Sequence, residues 1–226
     1  MKMPSSSAQD RQVSIWFQKI QSGEIKLPRF QRHQAWDKSR VCSLLDTVTK
    51  NLPLGVTLLL DVDKEQFVSR YLVSAPETQG RVTEHLLDGQ QRLITLLLFL
   101  KTLSIYQPEL NVLKQILEQE DWEGNEKKPR ITSDIFEAND GSDLMSVLQY
   151  DSQKFNLRLE ECTDKKGVII ERKCRNKFER NILYFYSWLK FFSIKNDLKK
   201  SQSLGVNYGF FNFSNLYLRF LSTRSG

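Results

Sequence analysis

The chain has 226 residues, a formal net charge of +6, 40% apolar residues and 11% aromatic residues. That composition excludes wholesale disorder and supplies a sizeable core, as one large domain or one domain with a helical extension. The basic excess, with a pI of about 9.2, permits contact with nucleic acid or nucleotide phosphates without demanding it. Cys42, Cys162 and Cys174 are odd in number and loosely spaced, and the two histidines, His33 and His85, are isolated. No zinc-type ligand spacing results, so the expectation is reduced thiols, no protein metal site and a cytoplasmic location. The first residues have no apolar signal region, and the apolar run Leu93–Leu100 is too short to span a bilayer.

In chain order, residues 1–9 read as a loose polar tail. Val13, Trp16, Phe17 and Ile20 fall on one helical face, with Gly23 as a stop. Residues 25–30 contain Pro28 and read as extended. Val41, Leu44, Leu45 and Val48 predict a second helix, capped by Asp37 or Ser39. Strands are expected at Val56–Leu60, Phe67–Val73 and Val82–Leu87, followed by a buried helix over Gln90–Leu103. A helix is predicted over Leu110–Glu120, then a charged loop to Pro129, then a helix starting near Asp134 or Asp143 with Leu144, Val147 and Leu148 inward. Residues 151–173 read as irregular, with a short strand at Val168–Ile170. Phe178, Ile182, Phe185, Leu189 and Phe192 predict a long helix with an aromatic seam. No clean period is visible after residue 205. The order is that of an α+β protein, and neither a dinucleotide fingerprint nor a P-loop is present.

The segment Leu86-Leu87-Asp88-Gly89-Gln90-Gln91-Arg92-Leu93 joins a strand end to a helix start. Its plain reading is structural: Asp88 caps the helix, Gln91 completes a capping box and Gly89 makes the turn. Its functional reading is an anion site. A helix N-terminus presents unpaired N–H groups and the positive end of the dipole, and Gly89 lets a ligand come close. Arg92 offers a fork suited to phosphate oxygens, and Gln90 and Gln91 bind a ligand or water without titrating. Asp88 could then turn to a magnesium ion.

A second segment, Leu27-Pro28-Arg29-Phe30-Gln31-Arg32-His33-Gln34-Ala35-Trp36, reads plainly as a linker with Trp36 in the core. It is dense in arginine, glutamine and aromatic residues for a connector. Arginines beside aromatics also suit base stacking.

In this order, LPRFQRHQAW and LLDGQQRLITL resemble the "IPxYQRxYxW" and "DGQQRLxTL" segments of the N-terminal domain of GmrSD-type restriction endonucleases. The resemblance covers roughly residues 10–195. It implies a ParB/sulfiredoxin-like small mixed sheet with a buried helix, followed by a mainly helical second half. The implied division is a nucleotide-binding core over 10–110, its helical extension over 111–200, and an atypical tail over 201–226 such as a truncation leaves. The implied activity is binding and hydrolysis of nucleoside triphosphates, with magnesium, in a defence system acting on modified or phage DNA. Nucleotide binding then falls to Arg29, Gln31, Arg32, Asp88 and Gly89, and catalysis to Gln90, Gln91 and Arg92. Phe30 and Trp36 are the candidates for contact with a base or modified DNA. Phe30 stands where the family commonly carries Tyr, and His33-Gln34-Ala35 departs from the usual aromatic before Trp36. Sulfiredoxin chemistry is not expected, since no cysteine adjoins the Asp88–Arg92 turn. The family's later "FExxNxxG" segment and HNH-type nuclease are also not found here. With both histidines upstream, the cutting step is expected from a missing domain or a partner subunit. A sensing module without turnover and a degenerate remnant are the alternatives.

Overall fold

The computed structural model describes residues 6–28, 36–49, 52, 56–61, 69–71, 84–109, 113, 117–120, 127–129, 138–202 and 217–224. The fold is α+β. Eight strands are described: β1 Ser6–Gln12, β2 Ile25–Pro28, β3 Val56–Asp61, β4 Ser69–Tyr71, β5 Glu84–Asp88, β6 Glu118–Glu120, β7 Lys127–Pro129 and β8 Tyr217–Arg224. The helices are α1 Val13–Gln21, α2 Lys38–Thr49, α3 Gln90–Tyr106, α4 Ala138–Leu148, α5 Ser152–Cys162 and α6 Lys177–Gln202, with a short 3-10 turn at Glu171–Lys173. Six strands form one mixed sheet in the order β1-β8-β3-β5-β2-β4, and β6 pairs with β7. Within the large sheet β8 runs parallel to β3 and β5 parallel to β2, while the other pairings are antiparallel.

The helical spacing read in the sequence maps onto buried stripes. Trp16, Phe17 and Ile20 bury one face of α1, and Gly23 ends it at φ 75°. The α2 start is settled by Asp37, whose carboxylate accepts from the Arg40 N–H at 2.9 Å. Val41, Leu44, Leu45 and Val48 are its buried face. The α3 helix is buried on nearly every side from Leu93 to Leu103 and packs on α6, where Phe99 meets Phe185 edge-to-face at 5.7 Å.

Five expectations need correction. The polar tail becomes β1, an edge strand whose polar sequence SSAQDRQ shows no alternation of apolar residues. The unpatterned C-terminal stretch supplies β8, which inserts between β1 and β3. The end of the predicted 110–120 helix and part of the charged loop become the β6–β7 pair. Residues 152–162, read as irregular, form α5. Its inward face carries Phe155, Arg158 and Cys162, so a buried arginine broke the apolar pattern. Asp151 caps this helix, accepting from the Lys154 N–H at 2.7 Å. At Val168–Ile170 the expected strand reduces to an isolated bridge between Thr163 and Ile169.

A buried ion cluster ties β1, α1 and β5. Arg11 holds Glu84 with two bonds of 2.6 and 2.7 Å and lies over the Trp16 ring, and Lys19 reaches the same carboxylate at 3.1 Å. Burial pushes the Glu84 carboxyl up, but Arg11 and Lys19 outweigh it and hold it below its ordinary value.

Candidate functional site

The β5–α3 junction is built from the sheet outward. β3 and β5 pair with a register shift: Leu58 faces Asp88 and Leu59 faces Leu86. Leu87 is thus the extra residue of a bulge, a device that turns a strand end out of its ladder. Asp88 is the last strand residue and is exposed. The chain turns at Gly89, with φ 110° and ψ −3°, and α3 begins at Gln90.

Gly89, not Asp88, occupies the capping position, and no side-chain cap bond forms there among the described residues. The expected capping box is therefore absent. The reason is conformational: the left-handed turn needs glycine at the cap, and Asp88 stays in the strand. The first intrahelical bond at this end runs from the Leu93 N–H to the Gly89 carbonyl at 3.0 Å. A helix start without a side-chain cap leaves first-turn N–H groups open to a ligand. The site is also closely fitted from below. A Cβ at Gly89 would lie 2.6 Å from Thr57 Cγ2 and 2.9 Å from Thr57 Oγ1.

Gln90 is only 3% exposed, and neither its Oε1 nor its Nε2 finds a hydrogen-bond partner among the described residues. The Thr57 hydroxyl is likewise buried and unpartnered. Buried amides and hydroxyls are rarely left so, because each costs about 1–3 kcal/mol. Gln91 is half-buried in the first turn. Arg92 donates from Nη1 to the Val56 carbonyl at 2.6 Å, so it ties the helix start to β3. Burial lowers the Arg92 pKa, opposed by the nearby Asp88 carboxylate.

The turn therefore brings Asp88, Gly89, Gln90, Gln91 and Arg92 together as expected, and adds Thr57. Sequence reading passed over Thr57, although a lone hydroxyl inside the apolar run Val56–Leu60 was a visible signal. Trp36 is half-buried and packs against the core. Arg29, Phe30, Gln31 and Arg32 lie outside the described residues.

A family model for the GmrSD restriction endonuclease, N-terminal domain, matches residues 13–224. The chain belongs to this family. The matched span runs through both motif segments and through β8, so this GmrSD N-terminal domain includes the strand that the sequence pattern left unassigned. An uncharacterized protein of Methanocaldococcus jannaschii is 32% identical over 85 residues, which is 34% of this chain and 15% of that protein's length. No helix among the described residues is long and apolar enough to cross a membrane.

One other cluster in this GmrSD N-terminal domain has metal-ligand chemistry. Ligand atoms of Cys162, Cys174 and Glu179 lie within 4.8 Å of one another. Glu179 is already saturated: it accepts from Tyr150, Arg158 and the Arg175 N–H. Arg158 also reaches Cys162 Sγ at 3.4 Å, so a guanidinium already fills the space a cation would need.

Proposed function

We propose that the chain is a nucleotide-handling control domain of a restriction system acting on modified or phage DNA, with a nucleoside triphosphate bound and hydrolysed at the β5–α3 turn. The observation that carries this reading is Gln90. Among the described residues its buried amide has no partner, and it lies at the start of a helix whose N-cap, Gly89, forms no side-chain cap bond. A phosphate group seated on that turn answers the helix dipole, and a phosphate oxygen or a bound water answers the amide.

In this reading the first-turn N–H groups and Arg92 stabilise phosphate charge. Gln90 and Gln91 orient the phosphate or the attacking water, a role that needs no titrating group. Asp88, exposed at the strand end, fits one carboxylate ligand of a nucleotide-bound magnesium ion, which commonly keeps most of its other ligands as phosphate and water. That ion supplies charge neutralisation. The family resemblance assigns the remaining phosphate contacts to Arg29, Gln31 and Arg32, and contact with a base or modified DNA to Phe30 and Trp36. The nuclease step belongs to an HNH-type domain or subunit.

One observation favours a second reading, a nucleotide or modified-DNA sensor without turnover. Arg92 spends one guanidinium N–H on the Val56 carbonyl, as a helix anchor would. The test is magnesium-dependent phosphate release from each common ribonucleoside triphosphate by the intact chain, Gln91→Ala and Arg92→Ala. Turnover lost in both variants supports hydrolysis, and binding without turnover supports the sensor. Loss of a guanidinium–phosphate bond costs about 1.5–3 kcal/mol, so unchanged activity in Arg92→Ala removes Arg92 from the site.

A further inference from the structure

Two thiols meet away from the β5–α3 turn, where the end of α5 approaches the start of α6. Cys162 is the last residue of α5 and is fully buried, and Cys174 follows the 3-10 turn and is half-buried. Their Sγ atoms lie within 4.8 Å of each other. The chain between them folds back on itself to bring them there: Thr163 bridges Ile169, and the Ile170 N–H donates to the Cys162 carbonyl at 2.7 Å. The Cys162 thiol donates to the carbonyl of Lys173, the residue just before Cys174, at 3.4 Å.

The arrangement suits a disulfide. A sulfur–sulfur bond of about 2.05 Å requires a further approach of roughly 3 Å at most, about the distance a sulfur moves between staggered side-chain rotamers. Losing the two S–H donors strands no strongly bonded group. The Lys173 carbonyl keeps the Arg158 N–H at 3.0 Å, and Cys174 gives up only a 3.9 Å contact with the Ile170 carbonyl. We propose that Cys162 and Cys174 form an intrachain disulfide when the folded chain meets a low-molecular-weight disulfide such as glutathione disulfide. Half-buried Cys174 gives its proton to water, and its sulfur attacks one sulfur of the small disulfide. That S–S bond breaks, and the first glutathione thiolate leaves and is protonated. Cys162 then loses its proton and attacks Cys174 in the mixed disulfide, and the second glutathione leaves. The two protein thiols lose two electrons, and one glutathione disulfide is reduced to two glutathiones. The high pKa of Cys174 makes the first step slow, so the site answers sustained oxidation. The new bond ties α5 to α6 across the seam that Arg158 and Glu179 already hold.

The test is equilibration of the full chain at pH 8, without oxygen, in a series of reduced and oxidised glutathione mixtures, both folded and in concentrated urea. Cys42→Ser removes the competing thiol, and the unaltered chain is mapped directly if that variant fails to fold. Acid quenching and tryptic mass mapping without reductant read the link, because cleavage after Arg158, Lys165, Lys173 and Arg175 isolates each cysteine. The effective concentration of the thiol pair should be roughly tenfold or more higher in the folded chain than in urea. By linkage, a tenfold preference raises the melting temperature of the disulfide form by about 3–6 °C over the reduced form. The proposal is overturned if no Cys162–Cys174 link forms in the folded chain, or if the folded effective concentration is no higher than the value in urea.

Discussion

Arg158 grips Glu179 through two parallel bonds, Nε to Oε1 at 2.7 Å and Nη2 to Oε2 at 3.0 Å, with both side chains buried. The same guanidinium donates to the Lys173 carbonyl at 3.0 Å and contacts Glu161, so it fastens α5 to the start of α6. Replacing Arg158 by Met strands a carboxylate in the core. Unfolding free energy in urea should fall by about 3–5 kcal/mol, and the double variant Arg158→Met/Glu179→Leu should recover much of it. A loss in the single variant below about 1 kcal/mol would contradict the arrangement.

Acid should weaken the fold through two carboxylates. Burial raises Glu179, but Arg158, the Arg175 N–H and Tyr150 outweigh it, and its folded pKa lies below the ordinary 4.5. Glu84 is lowered in the same way by Arg11 and Lys19. Below 4.5 the unfolded chain therefore binds more protons than the folded one. The stabilisation is complete above that value and is lost as pH falls through the lowered folded values. Urea midpoints should hold between pH 7 and 6 and drop steeply from pH 4 to 3. Glu179→Gln should flatten that acid limb.

Gln90→Leu separates stability from function. It replaces a buried, unpartnered amide with an apolar group of similar size, so the unligated protein should keep or gain stability, by up to about 1–3 kcal/mol. Nucleotide binding or phosphate release should fall. A variant that is both less stable and fully active would show that the amide belongs to the core alone.

Gly89→Ala should damage the turn by two routes. A φ of 110° costs a side-chain-bearing residue about 1–3 kcal/mol, and the new Cβ meets Thr57. Thr57→Ser removes Cγ2 but keeps Oγ1, 2.9 Å from the new Cβ, so it should relieve part of the second cost and none of the first. The double variant should therefore regain part of the stability of Gly89→Ala, as read by thermal melting, and not all of it.

Cys174 should be a slow nucleophile. Burial first, then the neighbouring Cys162 and Glu179, push its thiol up to about 12. Alkylation by iodoacetamide at pH 8, mapped by peptide mass, should be at least roughly tenfold slower at Cys174 in the folded chain than in urea. Equal rates in the two states would refute this environment.

Much of the fold was legible because its helices bury regular stripes. Trp16, Phe17 and Ile20, then Phe178, Ile182 and Phe185, declare themselves by spacing alone. The turn at Asp88–Arg92 was legible as a strand-to-helix junction, but the capping position was not: Asp88 and Gly89 are both good caps in sequence, and only the left-handed φ at Gly89 decides between them. Strand β1 was hidden because an edge strand can be polar throughout. Helix α5 was hidden because Arg158 stands where an apolar residue is expected, its charge matched by Glu179 far along the chain. Thr57 was visible as a single polar residue in an apolar run, but its place under Gly89 required the pairing of distant segments.

The position of β8 has a consequence for the order in which the molecule is made. β3 carries Val56, the anchor of Arg92, and Val56 pairs with Arg219 on β8. β8 is translated last among the described elements, yet it takes an inner place in the sheet. On the ribosome, β3 and the turn it supports stay without this neighbour until the far end of the domain emerges. Such distant pairing is slow to form. A nascent chain thus has no finished sheet around the Asp88–Arg92 turn before its synthesis has reached β8.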